Sequence, residues 1–200
     1  DTPAIERALK VFRDHGGMLR MAEAVRKGVH RNTLQAMLET GKAERLARGL
    51  YRLADAEPPS HPDLVIVARK APRGVICLIS ALAHHELTTQ IPHEVYLAVP
   101  RNSQPPRLDY PPVRVFRFSG ESFTAGIVRE RLDGVAVRIY NREKTLADCF
   151  KYRRKLGMDT VLEALRLYRD QRNIKVNALL RYAKICRVAS VMRPYLEATL

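Results

Sequence analysis

The chain has 200 residues, of which 46% are hydrophobic and 28% are charged, as is ordinary for a folded protein with one large domain or two small ones. Its formal net charge is +14 at pH 7, and the positive electrostatic potential of such a charge favours a polyanionic partner such as DNA or RNA. An acidic membrane surface is a weaker alternative, because no helical segment combines a wholly apolar face with a Lys/Arg-rich one. No apolar run approaches the roughly 18 residues that a membrane span needs.

Three cysteines are spread along the chain, and none of them forms a Cys-x-x-Cys pair. Cys77, Cys149 and Cys186 each stand among apolar neighbours. This pattern predicts buried free thiols in a reducing compartment. Since the chain also shows no signal-peptide pattern, we expect a cytoplasmic protein.

The first forty residues predict three helices followed by a basic hairpin. Apolar residues at helical spacing indicate helices over residues 5–12, 21–27 and 31–40. Gly28 and Gly41 follow the second and third helices, where glycine supplies the left-handed conformation that ends a helix. In the short second helix, Ala22 and Val25 are expected to face inward.

The stretch from Gly41 to Leu53 has the character of a wing. Two strands are predicted, over residues 42–46 and 50–53, with a turn at Arg48 and Gly49. Helix, short helix, tight turn, helix and basic hairpin is the order of a winged helix-turn-helix, in which the second helix of the pair lies in the major groove of DNA. We therefore predict a DNA-binding domain over residues 1–56.

The third helix and the wing supply the candidate DNA-binding residues. Leu34, Met37 and Leu38 fix the inward face of the helix, so its polar residues face outward. Arginine can bind guanine with two hydrogen bonds, asparagine or glutamine can bind adenine in the same way, and cations in the wing can contact phosphates. The candidates are His30, Arg31, Asn32, Thr33, Gln35, Lys42, Arg45, Arg48, Tyr51 and Arg52.

A proline-rich linker is predicted at residues 57–62, followed by an α+β domain over residues 63–200 with a small sheet and C-terminal helices. Asp63 and Ser80 are predicted to cap helices. Asp133 and Gly134 are predicted to join two strands as a hairpin. Strands are expected over residues 74–78, 95–99, 113–118, 127–132 and 135–140, and helices over 63–70, 80–87, 144–155, 159–170, 175–187 and 190–198.

Most of the positive charge lies beyond the predicted linker. Residues 1–56 carry 11 basic and 7 acidic side chains, whereas residues 57–200 carry 24 and 14, a net charge of +10. This charge can belong to a solvated helix face, or it can form a second surface for phosphates, RNA or an acidic protein. The candidate residues of such a second basic surface are Lys151, Arg153, Arg154, Lys155, Arg166 and Arg169.

The sequence offers little for catalysis or metal binding. A helical zinc-protease motif needs two histidines four positions apart, whereas His84 and His85 are adjacent and point about 100° apart around a helix. Glu143 and Lys144 are also adjacent, so a strand would turn them to opposite faces, unlike the Glu-x-Lys of nucleases. Asp-x-Asp, a phosphate-binding loop and a nucleophile elbow are missing from the sequence. We expect no enzyme activity, no catalytic residue, no metal and no cofactor.

Several stretches in this order resemble the AbiEi-type antitoxins. Residues 28–34 and 41–53 are similar to the N-terminal winged helix of that family, and further similarity extends over nearly the whole chain. The similar pieces of the second domain are residues 77–82 with His85, Leu87 and Thr88, residues 144–153, Leu156 with Gly157, residues 163–165 and residues 193–197.

The resemblance implies the antitoxin of a bacterial type IV toxin–antitoxin system, linked to abortive infection by phage. It implies a winged helix that binds inverted repeats in its own promoter, and a C-terminal domain that counteracts a nucleotidyltransferase toxin without a stable complex. The chain is further expected to be a monomer in solution that binds DNA cooperatively. One departure is His30, which stands where a serine often caps the recognition helix.

A second hypothesis stays open beside the first. The basic C-terminal helices could form an RNA-binding or protein-docking module, in which Lys151, Arg153 and Arg154 matter more than the wing.

Overall fold

The computed structural model describes residues 2–200, which form eleven helices and eight strands in two sheets. This architecture confirms the predicted α+β class. None of the described helices is long and apolar enough to span a membrane.

The described residues group into two compact units. The first comprises residues 2–72, 106–111 and 131–136, and the second comprises residues 73–105, 112–130 and 137–200. The first unit therefore continues beyond the predicted linker at 57–62 and includes a helix that the sequence analysis assigned to the domain over residues 63–200.

The first unit contains the predicted helix-turn-helix and wing. Its three strands pair antiparallel in the order β1-β3-β2. The three-residue strand β1 was not predicted, since it is too short to show an alternating pattern. The elements are α1 (Thr2–Asp14), β1 (Met18–Arg20), α2 (Met21–Arg26), α3 (Arg31–Glu39), β2 (Ala43–Ala47), β3 (Leu50–Leu53) and α4 (Pro62–Lys70).

The core of the first unit lies between α1, α3 and the sheet. Phe12 of α1 is fully buried in one cluster with Leu34 and Met37 of α3, which confirms the inward face predicted for the third helix. The prediction for α2 was wrong: Val25 is 42% exposed, and Ala24 is the buried residue of this helix. With only six residues, α2 is too short for periodicity to define its inner face.

Helix α4 is fastened to the first unit by polar contacts. Arg69 donates to the carbonyl of Met18 at 3.3 Å, and its own carbonyl accepts from Arg20 at 3.3 Å. At the start of the helix, Asp133 accepts from the backbone amides of Ser60 at 2.9 Å and His61 at 3.0 Å.

The predicted cap of this helix, Asp63, lies two residues after the observed one. The N-cap of α4 is His61, and Pro62 occupies the first helical turn. Proline is well suited to this position, because its missing N–H would have no intrahelical partner there. Asp63 consequently lies inside the first turn and does not cap the helix.

The second unit is built on a five-stranded sheet in the order β6-β5-β4-β8-β7. Strand β4 pairs antiparallel with β5 and parallel with β8, and β5 pairs parallel with β6. The elements are β4 (Val75–Ile76), α5 (Leu78–His84), β5 (Val95–Pro100), β6 (Val113–Phe118), α6 (Glu121–Thr124), β7 (Ile127–Leu132), β8 (Val135–Tyr140), α7 (Arg142–Lys151), α8 (Arg153–Leu156), α9 (Met158–Asp170), α10 (Val176–Ile185) and α11 (Ala189–Thr199).

Two helix boundaries differ from the prediction. Helix α5 begins at Leu78 with Cys77 at its N-cap, so Ser80 lies inside the helix. The Ser80 hydroxyl instead accepts from the backbone amide of Tyr96 at 2.9 Å and thereby joins α5 to β5. The single helix predicted over residues 144–155 is interrupted at Tyr152 and forms α7 and α8.

A buried ion pair lies at the centre of the second unit. The Lys144 ammonium donates to both carboxylate oxygens of Asp148, at 2.7 and 2.6 Å, and their side chains are 0% and 1% exposed. The ammonium nitrogen also lies 4.1 Å from the centroid of the Tyr140 ring. Burial raises the pKa of Asp148, and the Lys144 cation opposes this effect.

Gly126 is required beside this pair. Its φ is +76°, and a Cβ atom built there would lie 2.5 Å from the Cβ of Lys144. Any larger residue would therefore displace α7 at the position that holds the buried cation.

Removal of one partner of the pair should destabilise the chain strongly. Asp148→Ala leaves an uncompensated buried ammonium and should lower the free energy of unfolding by about 3–5 kcal/mol. Urea denaturation measures this change. The double variant Lys144→Met with Asp148→Leu should recover most of the loss, whereas Asp170→Ala, which breaks the exposed pair with Arg169, should leave the midpoint nearly unchanged. A wild-type midpoint for Asp148→Ala would contradict this account.

Candidate nucleic-acid interface

The turn between α2 and α3 is tightly defined. Gly28 has a φ of +86°, which favours glycine, and it follows the last turn of α2. The amide of Val29 donates to the carbonyl of Ala24 at 2.9 Å, and the Val29 side chain is 3% exposed. The C-terminal end of α2 and the start of α3 are thus held by a short backbone bridge and a buried apolar side chain.

His30 caps α3. Its backbone is extended, with φ −68° and ψ 147°, and its Nδ1 accepts from the backbone amide of Asn32 at 3.2 Å. The imidazole therefore plays the part that a serine hydroxyl plays at many helix starts. Because Nδ1 acts as an acceptor, the ring makes this contact in its neutral form.

The outward face of α3 carries the predicted polar residues. Arg31, Asn32 and Gln35 are exposed, and Thr33 is half-buried. The Gln35 amide group donates to the Glu39 carboxylate at 2.9 Å, one helical turn further on. A base contact made by this amide group would use its second N–H and its carbonyl oxygen.

The wing forms where the sequence predicts it. Strands β2 and β3 pair antiparallel with an irregularity between Arg45 and Ala47, and the turn lies at Arg48 and Gly49. Gly49 has a φ of +72°, and its carbonyl accepts from the amide of Met21 at 2.9 Å. The wing turn is therefore tied to the start of α2.

Three of the predicted wing cations are exposed. Lys42, Arg45 and Arg48 all present their side chains to solvent, as phosphate contacts require.

Two of the predicted DNA-binding residues have structural roles instead. Tyr51 is 7% exposed and packs in the core of the first unit together with Leu53, which lies on the same face of β3. The Arg52 side chain is 11% exposed and forms an ion pair with Glu44 at 2.6 Å. Arg52 also donates to the carbonyl of Ala56 at 3.2 Å, so it fastens the chain that leaves the wing.

Lys70, at the end of α4, is a residue that the sequence analysis missed. Its ammonium donates to the carbonyl of Arg48 at the wing turn. Partial burial, together with the nearby cations of Arg20, Arg48 and Arg45, lowers the pKa of Lys70. A basic cluster thus surrounds the wing turn, and Lys70 is distant from it in sequence, so no local motif could reveal it.

The residues predicted for a second basic surface are placed differently from one another. Lys151 and Arg153 line a cleft of about 900 Å³ in the second unit, together with Arg101, Lys184 and Arg187. These last three residues were not predicted, because they come from separate segments of the chain.

The other four residues of that prediction do not line this cleft. Arg154 and Arg166 are exposed. The Lys155 ammonium lies 5.8 Å from the centroid of the Tyr152 ring, and Arg169 pairs with Asp170 at 2.9 Å.

Among the described residues of the first unit, no group of three His, Cys, Asp or Glu side chains brings its ligand atoms together.

The cap of α3 can be tested by substitution. His30→Ala removes the acceptor for the Asn32 amide and should lower the free energy of unfolding of the first unit by about 1 kcal/mol. His30→Ser should retain most of that stability. Thermal or urea denaturation followed by circular dichroism measures both variants, and equal stability of the alanine and serine variants would contradict the capping role.

The comparison with known proteins agrees with this geometry. Residues 6–54 match the family described as "Transcriptional regulator, AbiEi antitoxin". The crystal structure of the RV2827C protein from Mycobacterium tuberculosis is similar over 91% of this chain and 71% of that chain, with a TM-score of 0.59 and 16% sequence identity. At that identity the likeness shows the fold alone, and no curated protein sequence matches the chain. The family match runs from α1 through the wing, which confirms the predicted resemblance of this chain to the AbiEi antitoxin regulators.

Proposed function

We propose that this chain is a DNA-binding transcriptional autorepressor and the antitoxin of a type IV toxin–antitoxin system. It would bind inverted repeats in its own promoter and counteract a nucleotidyltransferase toxin. One observation carries the proposal: within the segment that matches the AbiEi regulators, exposed Arg31, Asn32 and Gln35 lie at the start of α3, and exposed cations lie on the wing.

The two parts of the interface suit different contacts with DNA. Helix α3 would lie in the major groove, where Arg31 recognises guanine and Asn32 or Gln35 recognises adenine. On the wing, Arg45 and Arg48 would contact the phosphate backbone.

Lys70 would act beside the wing. Its ammonium is crowded by other cations. A DNA phosphate close to this cluster would relieve the repulsion among the cations, which favours a complex with any duplex irrespective of sequence.

The antitoxin role is supported by the description of the matching family and requires no chemistry from this chain. We propose that the chain is not an enzyme and acts in the cytoplasm. Burial raises the pKa of the Cys77 and Cys149 thiols well above their usual value, so both are protonated and unreactive at neutral pH. The Lys144 ammonium is fully buried and paired.

Substitutions can separate sequence reading from phosphate binding. Arg31→Ala should weaken binding to the inverted repeat upstream of the gene by about 1–3 kcal/mol while leaving random duplex binding nearly unchanged. Arg48→Ala and Lys70→Ala should weaken binding to both duplexes alike and each reduce the slope of log K against log salt by about 1. Gel-shift titrations at several salt concentrations measure these effects.

A charge-matched control is available on α11. Arg193→Ala removes an exposed cation outside the proposed interface and should leave affinity for both duplexes close to that of the wild type. The repressor proposal fails if the wild-type chain shows no preference for the upstream repeat over random duplex.

The cleft in the second unit favours RNA binding as a second candidate function. Its five cations are Lys151, Arg153, Arg101, Lys184 and Arg187, and Glu121 is the acidic residue in its lining. Within residues 2–200, none of the five cations forms an ion pair with a carboxylate. Such uncompensated charge in a concave surface attracts phosphates, and single-stranded RNA supplies them in a row.

The RNA hypothesis predicts that substitutions in the cleft weaken RNA binding and that substitutions in the wing do not. Lys151→Ala combined with Arg153→Ala should weaken binding of a fluorescent single-stranded RNA about tenfold or more, because two phosphate contacts are lost. Arg48→Ala should leave this RNA affinity unchanged. Fluorescence anisotropy with the full chain measures both, and equal effects of the two variants would contradict a separate RNA surface.

A further inference from the structure

Three potential metal ligands meet in the second unit, away from the basic cleft. His84 is the last residue of α5, His85 follows it as the C-cap, and Glu130 lies on β7. Each side chain offers one ligand atom, and these atoms all lie within 4.8 Å of one another. The residues are separated by about 45 positions in sequence, so the fold itself brings them together.

The geometry changes the conclusion drawn from the adjacent histidines. Neighbouring side chains on a helix do splay apart, and the planes of the two imidazole rings cross at 74°. The rings nevertheless stay close, with centroids 5.1 Å apart. The third ligand comes from the sheet, because the Glu130 carboxylate lies 2.6 Å from Nε2 of His84.

His85 is oriented in the manner of a metal-binding histidine. Its Nε2 lies 2.7 Å from the carbonyl oxygen of Tyr140. Since a carbonyl only accepts, Nε2 must carry the proton, and Nδ1 holds the lone pair. Metal-ligating histidines commonly donate their second ring N–H to a carbonyl or carboxylate, which fixes the ring and its tautomer.

The backbone of His85 is held in place as well, because its carbonyl accepts from the Gln171 amide group at 2.8 Å.

We propose that His84, His85 and Glu130 form a binding site for a divalent metal ion, best matched by Zn²⁺. Two imidazole nitrogens and one carboxylate oxygen are a ligand set that zinc uses in proteins, with the fourth position open to water or to another ligand. The bound ion would connect the end of α5 to β7.

The site needs only small side-chain movements to bind the ion. Zinc bonds of about 2.0–2.2 Å place tetrahedral ligand atoms about 3.3 Å apart. The hydrogen-bonded atoms of His84 and Glu130 would separate slightly, and the wider ligand distances would close. The side chains of His84 and Glu130 are 12% and 37% exposed, so an ion can reach them from solvent.

The thiols of the folded chain do not compete for the ion. Burial raises the pKa of Cys77 and Cys149 well above the usual value and raises that of Cys186 to about 12. Thiolate is the form that binds zinc, so these residues remain poor ligands at neutral pH.

The test is a zinc titration of the full, tag-free chain against a chromogenic chelator. The wild type should bind one equivalent, and Glu130→Gln should weaken the affinity by about tenfold or more through the loss of its anionic ligand. Glu130→Gln keeps the shape of the side chain and should retain the wild-type melting temperature without zinc. Zinc should then raise the melting temperature of the wild type much more than that of Glu130→Gln.

A control variant makes the result specific to this site. His93→Gln alters an exposed histidine outside the cluster and should retain the full affinity for zinc. Equal zinc affinities for the wild type and Glu130→Gln, or a loss confined to His93→Gln, would overturn the proposal.

Discussion

The candidate interface depends on how the wing turn is held. Two consecutive carbonyls at the turn accept hydrogen bonds from different directions, that of Arg48 from the Lys70 ammonium and that of Gly49 from the Met21 amide. The sheet pairs β3 with both β1 and β2, and these two hydrogen bonds add anchors at the tip of the wing. Because Met21 is the first residue of α2, one of these bonds connects the wing directly to the helix-turn-helix.

This anchoring also explains why α4 groups with the first unit. Arg69 and Lys70 are consecutive, and they contact β1 and the wing turn respectively. The last turn of α4 thus holds β1 and the wing turn beside the basic cluster. A proline-rich segment precedes this helix, and composition alone suggested a boundary there. Tertiary contacts across some 20 to 50 residues of sequence, which composition does not reveal, place the helix with the wing instead.

The sequence predicted α1, α3 and the wing well, since helical periodicity, glycine positions and the basic hairpin agree there, but it missed β1 and the inner face of α2. It was less successful wherever a side chain's role depends on its partner. Arg52 looks like Arg48 in sequence, but Glu44 lies directly across the ladder from it and captures its guanidinium. The helix caps at His61 and Cys77 were not predicted, because neither residue is a usual cap. The cluster of Glu130 with His84 and His85 was not predicted either, because nothing local in the sequence links a strand residue to two histidines at the end of a helix.

The hydrogen bond between Gln35 and Glu39 has a consequence for how α3 would discriminate among DNA sequences in the proposed complex. In the free chain one N–H of the Gln35 amide group already has a partner, so only its second N–H and its carbonyl oxygen are left for a base in the proposed complex. The Glu39 carboxylate that accepts this hydrogen bond would lie close to the polyanion and would be repelled by it, unless it accepted a hydrogen bond from a cytosine amino group. Discrimination on α3 would therefore come as much from the exclusion of wrong sequences as from attraction to the right one.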